Sequence, residues 1–143
     1  MSVRPEITDL LRALARSDWG TVDRLTGESK VMELPNALQV IGMAFALAVG
    51  NRFGAAPDLN AITRFVSDTR ARYVDGKDLP ALETEALIRA AVGEPELLDT
   101  LSPEVYIPAQ IVVLGTLLRD DMHSEEQLET FINEVEQAAA QYL

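Results

Sequence analysis

Cysteine is absent from this 143-residue chain. That excludes disulfide frameworks, thiolate zinc sites and cysteine nucleophiles, and leaves the fold indifferent to the redox state of its surroundings. Familiar catalytic signatures are missing too: there is no Gly-x-Ser-x-Gly elbow, no Gly-x-x-x-x-Gly-Lys phosphate loop and no His-Glu-x-x-His helix. Met1-Ser2-Val3-Arg4-Pro5-Glu6 lacks the apolar run of a secretory signal, so a cytoplasmic location is expected. The longest apolar run, residues 37–49, stops at Asn51-Arg52, short of the about 18 to 20 residues that a membrane span needs. Without repeats, low-complexity segments or a dividing linker, residues 1–143 read as one domain, long enough to bury a core.

Positive charge is also scarce. Twelve basic residues stand against 23 acidic ones, a net charge of −11 that repels phosphate backbones and argues against nucleic-acid binding. The imbalance is local: residues 1–77 sum to +1 and residues 78–143 to −12. Such an acidic half either solubilises helix surfaces or steers a basic protein partner to one face.

What the sequence does have is helical periodicity. From Ala37 to Val49 only Gln39 and Gly42 are not apolar, and a helix apolar all round has to be enclosed. Residues 35–53 are therefore the expected central helix. Pro5 opens an amphipathic helix through Ile7, Leu10, Leu11 and Leu14. Trp19 marks the corner into a short second helix, which Gly27 is expected to close in a left-handed conformation. Residues 28–34 form a connector in which a short strand is possible, since Leu34 precedes proline.

Asp58 is expected to cap a helix carrying Leu59, Ile62, Phe65, Val66 and Tyr73 inward, with Arg64/Asp68 and Asp68/Arg72 as i,i+4 pairs. Leu79-Pro80 opens the next helix, which offers Leu82, Ala86, Leu87, Ala90 and Ala91 for packing and ends at Gly93. A helical turn at residues 95–98 follows, then a start signal at Ser102-Pro103. Pro108 implies a kink or a true helix start at that point. Beyond it residues 109–118 form a second strongly apolar helix. Ser124 and Gln127 form a capping box for the last helix, whose inner face reads Leu128, Phe131, Ile132, Val135 and Tyr142. The fold class is all-α, an irregular bundle of about six helices with one or two extra turns.

Residues 85–93, Ser102-Pro103-Glu104 and an apolar helix ending Leu117-Leu118-Arg119-Asp120 resemble short all-helical bacterial proteins of uncharacterised function. The resemblance covers the second half of the chain and implies no activity and no site residues.

Candidate chemistry is thin. Asp120, Asp121 and His123 gather hard oxygen ligands beside the one imidazole, the elements of a divalent-metal site, but adjacent turn positions seldom converge. Asp75-Gly76-Lys77-Asp78 fails as a calcium loop: with Gly76 sixth, Ala71, Tyr73 and Leu82 fall where carboxylates are required. Arg52, Arg64, Arg70 and Arg72 form the one basic cluster. It suits an anion, nearby acids or the acidic half of a second copy.

Three functions follow. Two strongly apolar helices in one small domain leave a face to cover, so the leading expectation is a helical homodimer acting as an interaction or regulatory module. The second is a small apolar ligand held between helices 35–53 and 103–120, with Gln39, Met43, Phe45 and Tyr106 as lining and Arg52 at the mouth. An enzyme built on the acidic turn ranks last, and no cofactor is implied.

Overall fold

The computed structural model describes residues 3–54, 58–72 and 79–142. Expectations for Tyr73 and for the Asp75-Gly76 turn lie outside that set. Among the described residues the chain is helical without strands: α1 (Pro5–Ala15), α2 (Trp19–Thr26), a 3-10 turn (Val31–Glu33), α3 (Ala37–Phe53), α4 (Leu59–Ala71), α5 (Ala81–Val92), a second 3-10 turn (Pro95–Thr100), α6 (Pro103–Asp121) and α7 (Glu125–Tyr142). None of these helices is long and apolar enough to cross a membrane.

α3 lies at the centre of the bundle. It packs on α6 most extensively, and also on α5, α7, the first 3-10 turn and α1. Its inner face buries Ala37, Val40, Ile41, Ala44, Phe45, Ala48 and Val49. α6 is the more deeply wrapped helix: six consecutive residues from Val113 to Leu118 are buried, because α1 covers one side while α3 and α5 cover others. At Gly115 a Cβ would sit 3.2 Å from Leu14 Cδ2 and 3.3 Å from Trp19 Cη2, so glycine lets α1 and the Trp19 corner press onto the α6 backbone.

Several boundaries differ from the sequence expectations for identifiable reasons. Pro108 neither starts nor splits α6, which runs through it from Pro103. A proline at the sixth helical position removes one hydrogen bond to Glu104, whose backbone is near solvent at the helix start. Ser102 makes no side-chain capping bond, while Asp58 accepts from the Asn60 N–H at 2.9 Å as anticipated. Gly27 closes α2 at φ −90°, not left-handed; Lys30 and Asn36 take the left-handed conformation and bracket the 3-10 turn where a strand had been an option. α3 begins at Ala37 after Asn36, two residues past Pro35.

The α7 cap forms with a shift of register. Gln127 N–H donates to Ser124 Oγ at 3.1 Å, but its side-chain Oε1 accepts from the His123 N–H at 2.6 Å, one residue earlier than in the usual box. Leu128, Phe131, Ile132 and Val135 are buried, with Ala139 completing the stripe. Tyr142, assigned inward by its spacing, is 71% exposed because the last turn overruns its neighbours, and Leu82 in the first turn of α5 is 76% exposed.

Candidate functional site

The enclosure of α3 is incomplete. At 100° per residue, Leu38, Gln39, Gly42, Met43, Ala46, Leu47 and Gly50 fall on one half of the helix, and all are exposed or half-buried. Leu38 is 44% exposed. Residues 34–51 contain no charged side chain, so about 18 Å of helix surface from Leu38 to Gly50 is neutral. Gly42, Ala46 and Gly50 recur at i, i+4, i+8 and make a shallow trough, with Leu38, Met43 and Leu47 as the taller side chains beside it. A Cβ at Gly50 would meet nothing within 4 Å, and at Gly42 only Gln110 Nε2 at 4.0 Å.

Gln110 is the polar feature of this trough. It is 8% exposed on α6, and its side chain makes no hydrogen bond to the described residues. A nearly buried amide without a protein partner is unusual, since such groups normally find one. Sequence reading missed it because a glutamine in an apolar helix carries no positional signal of burial.

The basic cluster resolves into separate contacts. Arg52 donates to Asp121 at 2.8 Å and lies 5.5 Å over the Phe65 ring, which in turn meets Phe53 edge-on. Arg72 grips Asp120 with two bonds of 3.2 and 3.0 Å. Arg70 donates to the Leu79 carbonyl at 2.7 Å. Arg64 is exposed and has no ion pair among the described residues, so the expected Arg64/Asp68 pair is not made.

Asp120 and Asp121 thus belong to arginines, and His123 stands exposed beside them. No group of three metal-binding side chains occurs among the described residues.

Part of the charge asymmetry is met by pairing between the two halves. Arg12 on α1 holds Glu129 on α7 through two 2.9 Å bonds, and Arg16 holds Glu125 at 2.8 and 3.3 Å. These guanidinium hydrogen bonds keep both glutamates below the usual carboxylate range. Together with Arg52–Asp121 and Arg72–Asp120, the pairs join the nearly neutral first half to the acidic second half.

The residues expected to line a ligand pocket do not all share one face. Phe45 is buried in the core, Gln39 is exposed on the outer face of α3, Met43 is half-buried on that same face, and Tyr106 packs half-buried against the core from α6. A groove of about 530 Å³ opens instead where the ends of α3 and α6 meet α7, lined by residues that include Asn51, Asp121, Met122, Glu126, Phe131 and Glu134. Its lining contains none of Gln39, Met43, Phe45, Arg52 or Tyr106. The i, i+8 spacing of Glu126 and Glu134 on α7 was the available sequence signal for this acidic groove.

In comparisons with family models, curated proteins and solved structures, nothing matches the chain.

Proposed function

We propose that this protein is an interaction module that works as a helical homodimer, joined through the outer face of α3. The observation that carries the reading is the neutral strip from Leu38 to Gly50 on the central helix of a chain whose residues are 24% charged. A second copy is the occupant that suits it. On a twofold axis the same strip meets itself, and the Leu38, Met43 and Leu47 side chains of one protomer fill the Gly42–Ala46–Gly50 trough of the other. Small residues at this spacing allow two helix backbones to approach closely. Gln110 and Gln39 supply the polar contacts that fix register in an otherwise apolar interface.

A basic protein partner is a second reading, favoured by one feature elsewhere. Glu126 and Glu134 stand two turns apart on α7 beside the apolar floor of Phe131 and Met122. An extended segment with spaced basic side chains fits that groove, and it binds the dimer without competing for α3.

Sedimentation equilibrium tests the dimer. The wild type is expected to be dimeric at micromolar concentration and Ala46→Arg monomeric, with unchanged helical circular dichroism because Ala46 is exposed. A wild type that stays monomeric at high micromolar concentration overturns the reading.

A further inference from the structure

A small pocket of about 120 Å³ lies where the α1–α2 corner, the end of α4 and the later part of α6 meet, lined by Ser17, Trp19, Arg72, Gly115, Thr116 and Arg119. The bare backbone of Gly115 lets the Trp19 ring seat against α6 and form one wall. At about 30 Å³ per water the volume equals roughly four waters, enough for a phosphate-sized group and too little for a nucleotide.

Among the described residues the lining carries two guanidiniums and no carboxylate, in a chain of net charge −11; one of the two, Arg72, is also bound to Asp120. The acids nearest in sequence to Arg119 are already committed, Asp120 to Arg72 and Asp121 to Arg52. Arg119 itself has no partner among the described residues. Ser17 adds a hydroxyl without a hydrogen bond there, on a backbone held at φ 54°, whereas the Thr116 hydroxyl is occupied by the Val112 carbonyl at 2.9 Å. Two guanidiniums from different helices and one hydroxyl match a group with several oxygens pointing in different directions, while a planar carboxylate is satisfied by one fork.

We propose that this pocket binds a small tetrahedral oxyanion: inorganic phosphate, or the phosphate end of a small monoester. Arg119 supplies the main charge, Arg72 is held at the rim by Asp120, and the Trp19 ring shields the bound group. The acidic remainder of the chain opposes any anion, so binding is modest in strength. Nothing in this site depends on the α3 face.

Trp19 is the only tryptophan and reports on the pocket directly. The experiment titrates the full-length protein with sodium phosphate and, in a second arm, with glycerol phosphate, at ionic strength held constant with sodium chloride. A saturable change in Trp19 emission is expected in at least one arm, the stronger arm identifying the source of the phosphate. Arg119→Gln is expected to weaken it at least about tenfold, and Arg119→Lys less. Arg119 is exposed, so both variants fold. Absence of saturation in both arms, an unaffected Arg119→Gln, or equal saturation by sodium acetate overturns the proposal.

Discussion

Thr84 on α5 is fully buried, and its hydroxyl has no hydrogen-bond partner among the described residues; Thr69 on α4, the helix packed against α5, is in the same condition. Thr84→Val replaces the hydroxyl by a methyl group of nearly the same shape. A buried polar group left unpaired costs about 1–3 kcal/mol, and the new methyl contributes up to about 0.8 kcal/mol of burial. Both residues are β-branched, so helix propensity nearly cancels. Allowing for incomplete relaxation around the new group, the variant is expected to be about 1–2 kcal/mol more stable. At about 2–4 °C per kcal/mol for a chain of this size, that raises Tm by roughly 2–8 °C. Urea unfolding followed by circular dichroism measures it, with an unchanged m-value showing that the unfolded reference is the same. Thr84→Ser, which keeps the hydroxyl and discards a buried methyl, is expected to lose about 1 kcal/mol. If Thr84→Val is less stable than wild type, the hydroxyl has a partner and the reasoning fails.

Other expectations are independent of this one. Gly50→Ala adds a Cβ that meets nothing within 4 Å inside the protomer, and at a dilution where the protein is monomeric it is expected to stabilise the fold by about 0.5–1 kcal/mol, read from the urea midpoint. Gly93 ends α5 at φ 145°, a conformation that strains any L side chain, so Gly93→Ala is expected to cost about 1–3 kcal/mol. Hydrogen bonds from Arg16 and Arg12 hold the folded-state pKa values of Glu125 and Glu129 below the ordinary glutamate range. The stabilisation they give is therefore complete above the unfolded glutamate range and is lost as pH falls through the folded values. A plot of Tm against pH should fall less steeply below about pH 4.5 in Glu125→Gln/Glu129→Gln than in wild type. Parallel curves would show that these pairs do not contribute.

Local features were legible in the sequence where the partner lay on the same helix or within one turn. Ser124, Gln127 and the acidic first turn placed the start of α7, and apolar periodicity placed α1 and Ile62, Phe65 and Val66 of the inner face of α4, whereas Leu59, assigned to the same stripe, is 51% exposed in the first turn. The side of α3 left uncovered was not legible. Its residues are apolar almost all round, and apolarity records tolerance of burial without saying which neighbours exist. The ion pairs show the same limit. Spacing suggested Arg64/Asp68, which does not form, whereas Arg72 finds Asp120 across 48 positions. Gln110 was invisible because its environment is made by the approach of Gly42 on another helix. As a helix start Pro108 misled, because the cost of a proline depends on how near the helix start it falls, and α6 starts five residues before it.

The clasp between α1 and α7 bears on how the chain is made. Arg12 and Glu129 are separated by 117 positions. At translation rates of about 5–20 residues per second, the first helix emerges roughly 6 to 23 seconds before the last one exists. Until α3 and then α6, the helix on which α1 packs most, have been made, Ile7, Leu10, Leu11 and Leu14, which end up almost wholly buried, have only the neighbouring α2 to lean on. The amino-terminal hairpin thus stays apolar and uncovered through most of synthesis, α6 covers it late, and the arginine–glutamate clasp with α7 is the last contact to close.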